Sequence, residues 1–154
     1  MFNGIIYQQG TVSKFSKLNA GTKIFIKSKL KLDKKDIGSS IACDGVCLTL
    51  VSKRKDLLEF YLSKESINKS KFKYLKIGQK INLELPLKYG QDISGHICQG
   101  HVDCTSLLKK IKKVGKSIVF EFKIENKFLS NILFVTDFHP QLIKNEYCFG
   151  TKLT

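Results

Sequence analysis

The run Lys23-Ile24-Phe25-Ile26-Lys27-Ser28-Lys29-Leu30-Lys31-Leu32 alternates apolar and lysine positions almost without a break. Successive side chains of a strand point to opposite faces, so Ile24, Ile26, Leu30 and Leu32 share one face while lysines hold most of the other. This is the pattern of a half-buried antiparallel strand, and its recurrence makes the chain chiefly β. Lys80–Leu87 and Ser117–Ile124 repeat it, and Gly4–Val12, Ser40–Ser52 and Leu57–Leu62 also read as strands. Ile37-Gly38-Ser39-Ser40-Ile41 and Ile77-Gly78-Gln79-Lys80-Ile81 share a glycine turn that feeds a strand. Two short helices are expected, one capped by Ser63 and running to about Lys71, the other over Asn126–Leu133. Many short strands joined by glycine turns predict an all-β Greek-key barrel.

At 154 residues the chain can form one good core, or one small domain with part of another. It contains no apolar run long enough to span a membrane. Met1-Phe2-Asn3-Gly4-Ile5-Ile6 lacks the basic start and longer apolar core of a signal peptide, so a cytoplasmic location is expected. The formal charge of +14 raises the question of nucleic acid. Of the 27 basic residues, however, only Arg54 is arginine, and base reading leans on the planar guanidinium. The lysines are spread along solvated strand faces, so no nucleic-acid partner is expected. Five cysteines, Cys43, Cys47, Cys98, Cys104 and Cys148, form no CxxC pair, and their odd number fits a reducing compartment. Cys43-x3-Cys47 and His96-x4-His101 have finger-like local spacings, but 48 intervening residues carry strand patterns; no metal site is expected.

An internal repeat with an offset of 96 lays Gly4-Ile5-Ile6 on Gly100-His101-Val102 and the strand at Lys23–Leu30 on Val119–Asn126. The copy of Gly38–Leu50 would fall near 134–146, where Phe134-Val135-Thr136-Asp137-Phe138-His139-Pro140-Gln141 bears no resemblance to it.

Three segments could carry chemistry. Ser94-Gly95-His96-Ile97-Cys98-Gln99-Gly100-His101-Val102-Asp103 holds two of the three histidines, each preceded by glycine. Glycine lets backbone approach a ligand closely, and histidine transfers protons near neutral pH. Five residues apart, His96 and His101 point to opposite faces of a strand and do different jobs. Ser40-Ile41-Ala42-Cys43-Asp44-Gly45-Val46-Cys47-Leu48-Thr49-Leu50 contains an Asp-Gly turn signal followed by Cys47 and Thr49 on one strand face. A thiol and a hydroxyl there can donate, accept or attack, or can simply pack as small strand residues. Phe60-Tyr61-Leu62-Ser63-Lys64-Glu65-Ser66 places hydroxyls and a carboxylate at a strand-to-helix junction, where they can meet a polar ligand or cap the helix.

Together with Met1 through Ile6 and Leu75-Lys76-Ile77-Gly78, these segments resemble riboflavin synthase of the alpha-chain type, built from two lumazine-binding repeats. The resemblance runs in order from residue 1 to about 133. It implies a six-stranded antiparallel Greek-key barrel over 1–96, an incomplete second barrel begun at 97–133 and a divergent tail over 134–154, so that the second repeat reads as truncated or frame-shifted. The implied reaction is dismutation of two 6,7-dimethyl-8-ribityllumazine molecules, giving riboflavin and 5-amino-6-ribitylamino-pyrimidinedione without metal or organic cofactor. By resemblance Cys47, Leu48, Thr49, Tyr61, Leu62, Ser63, Lys64, Glu65, Ser66, Gly100, His101 and Val102 bind one lumazine. Gly4, Ile5 and Ile6 contribute to the other. His101 is the expected proton carrier, with Cys47 and Thr49 orienting or polarising the substrate; His96 supports the loop.

The family's complete chains form homotrimers in which each site lies between barrels of two neighbours. Here the second DG-x-x-LT motif and the C-terminal trimer helix are missing, Tyr61 occupies a variable position, Ser66 replaces the usual threonine, and Cys104 stands where glycine is common. Two readings follow: a riboflavin synthase, or a single barrel that holds lumazine or flavin without turnover.

Overall fold

The computed structural model describes residues 1–92, 97–131 and 146–152, with 129–131 and 146–152 described by main chain alone. His96, and most of the divergent tail, lie outside the described residues. Six strands, β1 (Gln8–Leu18), β2 (Gly21–Lys27), β3 (Ser40–Cys43), β4 (Val46–Arg54), β5 (Leu57–Ser63) and β6 (Lys80–Glu84), close into a barrel in the order β1-β2-β5-β4-β3-β6. Every pairing is antiparallel. Consecutive strands β3, β4 and β5 are neighbours while β6 returns to lie beside β3, which is the Greek-key arrangement expected from the turn pattern.

The alternating pattern fills the barrel as anticipated. Ile24, Ile26, Leu50, Leu58, Phe60 and Ile81 are wholly buried, each such side chain contributing about 1.5–3 kcal/mol relative to exposure. The second strand is shorter than the alternation suggests. It ends at Lys27, and Leu30 and Leu32 reach the core from extended chain, helped by Ser28, whose Oγ accepts from the Leu30 amide and donates to the Gln9 carbonyl. Side-chain periodicity therefore outlasts the sheet ladder. Lys80–Leu87 likewise stops as a strand at Glu84, and β1 begins at Gln8 rather than Gly4. The helix after Ser63 is α1 (Lys64–Lys69), followed by a 3₁₀ turn over Lys71–Tyr74, and Asn126–Asn131 is 3₁₀ rather than α.

Beyond the barrel, β7 (Cys98–Val114), β8 (Ser117–Lys123) and β9 (Glu146–Lys152) form a second sheet in the order β8-β7-β9. The hairpin β7–β8 reproduces β1–β2 at the offset of 96. Its closing pair Val114 with Ser117 matches Leu18 with Gly21, and its register shift between Leu108 and Lys110 matches that between Val12 and Lys14. What differs is burial: Phe120 and Phe122, the counterparts of Ile24 and Ile26, are only partly buried, whereas Ile24 and Ile26 are wholly inside the barrel.

Candidate functional site

The hairpin β3–β4 turns on Asp44 and Gly45, both with positive φ (49° and 81°), the conformation a two-residue hairpin turn demands. Asp44 also fastens that turn. Its Oδ1 accepts from the Asn82 amide at 2.8 Å and its Oδ2 meets Lys71 Nζ at 2.8 Å, while its own amide donates to the Asn82 carbonyl. The register is thereby set with Ala42 opposite Cys47 and Ser40 opposite Thr49. Paired residues share a face, so Cys47 and Thr49 look outward from the barrel, and Leu48 between them is 2% exposed inside it. Cys43 is wholly in the core, where burial pushes its thiol well up. Cys43 and Cys47 therefore stand on opposite faces and do not converge as a ligand pair.

At the end of β5, Tyr61 faces out and its hydroxyl donates to the Ala20 carbonyl at 2.9 Å, whereas Leu62 is a core residue. A contribution of Leu48 or Leu62 to an outer ligand is thus limited to the main chain. Ser63 is the N-cap of α1: its Oγ accepts from the Ser66 amide at 3.0 Å and lies 3.0 Å from the Ser66 hydroxyl. Glu65 pairs with Lys69 at 2.7 Å rather than closing the cap, and the ammonium holds its carboxyl below the usual range. Lys64 is exposed.

The third wall is the start of β7, which runs beside β4 and α1. It is tied to the chain's N-terminus by a two-bond bridge, Phe2 N to Cys98 O at 2.8 Å and Cys98 N to Phe2 O at 2.9 Å. Two residues on, Gly100 (φ 77°) fits against Cys47 and Phe2: a Cβ there would stand 2.9 Å from the Cys47 Cβ and 3.1 Å from Phe2 Cε2. His101 is exposed, and Val102 packs against the barrel core. The bridged residues Phe2 and Cys98 are themselves 96 apart, and Gly4 (φ 80°) matches Gly100 at the same offset. The two matched segments therefore pair with each other in antiparallel fashion. Gly4 itself stays on the first barrel, its amide bonded to Glu84 at the end of β6, and the Ile5 amide donates to Asn3 Oδ1.

Sequence reasoning did not single out Glu84, which is 3% exposed. Its Oε1 accepts from the amides of Asn3 and Gly4, both at 2.7 Å. Burial pushes its carboxyl up, opposed by the amides of Asn3, Gly4 and Ile5. The available signal was an acid among apolar neighbours in Leu83-Glu84-Leu85, at the end of an alternating strand. The outer surface so assembled presents a thiol, hydroxyls, main-chain amides and an imidazole, a set able to hydrogen-bond a polar ligand.

The profile of the lumazine binding domain family matches residues 3–86. A riboflavin synthase from Buchnera aphidicola is 31% identical over 96% of this chain and 76% of its own length. One from Brucella abortus is 33% identical over 80% of this chain, which spans 63% of that relative. Among solved structures, LumP complexed with riboflavin aligns with a TM-score of 0.68 and 25% identity over 86% of this chain and 72% of LumP. In barrel, motif order and relatives alike, this chain belongs to the lumazine-binding family that contains riboflavin synthase.

Proposed function

We propose that the chain is a riboflavin synthase subunit whose barrel binds one 6,7-dimethyl-8-ribityllumazine in the groove between β4, α1 and β7. The observation that carries this reading is Gly100 pressed onto Cys47, which brings the His101 segment to the same outer surface as Cys47 and Thr49. Main chain of Leu48, Leu62, Gly100 and Val102, with the side chains of Cys47, Thr49, Tyr61, Ser63, Lys64, Glu65 and Ser66, would hold the ring and ribityl chain. Gly4, Ile5 and Ile6 would serve the second ligand.

The chemistry suits such a surface. The C7 methyl of the lumazine is acidic because its carbanion delocalises into the ring, so the reaction needs two oriented rings and a proton carrier more than a strong nucleophile. His101 is proposed to move that proton, while Cys47 and Thr49 orient or polarise the substrate. Dismutation requires a second bound lumazine, supplied by a neighbouring barrel in a homo-oligomer. Riboflavin formed from lumazine by the chain, measured by flavin absorbance, tests this directly; wild-type turnover together with normal turnover by His101→Ala would remove His101 from its role.

The second reading, a lumazine or flavin carrier without turnover, is favoured by the likeness to LumP complexed with riboflavin. Quenching of flavin fluorescence on titration, with no riboflavin produced from lumazine, supports the carrier over the enzyme. Among the described residues no helix is long and apolar enough to cross a membrane.

A further inference from the structure

We propose that Glu84 is the positioning residue of this site: its buried carboxylate fixes the Phe2–Gly4 segment and, through the Phe2–Cys98 bridge, fixes where Gly100–Val102 lie against Cys47. The proposal rests on the lumazine-binding reading above. Its geometric basis is a row of paired residues on the barrel's outer face, Cys47 on β4 opposite Ala42 on β3, and Ala42 opposite Glu84 on β6. Two cross-strand steps place the Glu84 and Cys47 side chains roughly 10 Å apart on the same surface. The N-terminal segment lies across that surface. It is bonded to Glu84 at Asn3 and Gly4, and to Cys98 at Phe2.

A carboxylate is an expensive residue to bury unless its oxygens are hydrogen-bonded, and an apolar side chain would fill the space without that cost. Glu84 instead takes two amides that converge on one oxygen, where Gly4 turns with positive φ. Charge-assisted bonds of this kind are short and stronger than neutral ones, and both measure 2.7 Å. Removing the acceptor leaves two amides without their partner and frees the residues on which Phe2 depends. Gly100 is wedged between Phe2 and Cys47 with no room for a methyl group, so displacement of Phe2 opens the wall facing the ligand.

The test uses the full chain, riboflavin and 6,7-dimethyl-8-ribityllumazine as fluorescent probes, and amide exchange at Asn3, Gly4 and Cys98. Glu84→Ala is expected to raise exchange at these amides and the Kd for both probes by about tenfold or more, while Glu84→Gln, which keeps an acceptor oxygen, restores both to within about threefold. Should Glu84→Ala not fold, Glu84→Asp, which withdraws the oxygen by one methylene and keeps the charge, is read in the same two ways. Unchanged exchange at Asn3 and Gly4 overturns the clamp. Increased exchange with an unchanged Kd overturns the positioning role and leaves the lumazine reading intact. A wild-type chain that binds neither probe overturns the lumazine reading, and the positioning role with it.

Discussion

Gly100 and Cys47 are in such close apposition that a β-carbon on the glycine would stand 2.9 Å from the Cys47 Cβ and 3.1 Å from its amide nitrogen. This contact joins the start of β7 to the outer face of the barrel at β4.

Gly100→Ala meets two penalties at once. Its φ of 77° is a strained conformation for any residue with a side chain, and the added methyl overlaps Cys47 and Phe2. Strain of about 1–3 kcal/mol and overpacking of similar size are expected, relieved in part by lifting β7 off β4. Chemical denaturation of the variant should show that loss, and riboflavin titration should show weakened binding. Wild-type affinity in a variant with wild-type stability would place Gly100–Val102 outside the site.

The two cysteines of the β3–β4 hairpin should respond oppositely to alkylation. Cys43 is buried in the core with its thiol pushed up, while Cys47 faces outward and is half-buried. Since thiolate is the reactive form, iodoacetamide should modify Cys47 before Cys43, and bound riboflavin should slow that reaction. Peptide mass spectrometry reads both sites. Equal rates, or no protection by riboflavin, would contradict the placement of Cys47.

The barrel was legible because alternation determines which face of each strand is inward, whatever the strand's length. Ile24, Ile26, Leu30 and Leu32 are all buried although the ladder stops at Lys27. Strand ends were not legible, because they depend on partners: β6 stops at Glu84, where its carboxylate turns to the amides of Asn3 and Gly4. The same distance in sequence hid Glu84 from the site, since its partners lie about eighty residues away. The spacing puts Cys47 and Thr49 on one face, but only closure of the barrel around Leu48 makes that face the outer one. The repeat was visible as a few matched residues, and the structure strengthens it by reproducing a bulge and a hairpin closure at the same offset.

Acid should weaken the barrel through Glu59. Lys23 Nζ lies 2.7 Å from Glu59 Oε1, and Ser52 Oγ donates to Oε2 at 2.6 Å. The Lys23 hydrogen bond is the main reason its carboxyl is held below the usual range, followed by that of Ser52. A depressed folded-state pKa means stability present above the unfolded carboxylate range and lost as pH falls through the folded value. Lys23 is about one-third exposed, so solvent screening limits the pair to about 0.5–1 kcal/mol. Glu59→Gln should therefore lower stability by that amount at pH 7 and narrow the gap to wild type as pH falls. A gap constant from neutral pH to below the carboxylate range would remove Glu59 as its source.

Glu84 gives the opposite sign. Its folded-state carboxyl is raised chiefly by burial, so the stability it contributes relative to a non-titrating residue is greatest below the unfolded carboxylate range and declines as pH rises through the folded value. Denaturation of wild type and Glu84→Gln across that range should show wild type losing ground as pH rises. A difference that instead grows with pH would mean that the amides of Asn3 and Gly4 outweigh desolvation.

Asp44 combines a backbone role with two polar ones, and substitutions separate them. Asp44→Asn keeps an oxygen for the Asn82 amide and tolerates positive φ, so it loses chiefly the attraction to Lys71. Asp44→Ala loses the Asn82 bond as well and puts an alanine at φ 49°. An unsatisfied buried amide costs about 1–3 kcal/mol, so the alanine variant should be less stable than the asparagine variant by roughly that amount. Because this turn sets Ala42 opposite Cys47, Asp44→Ala should also weaken riboflavin binding more than Asp44→Asn does. Paired denaturation and titration of the two variants check the order; equal stability would show that the bond to Asn82 does not hold the turn.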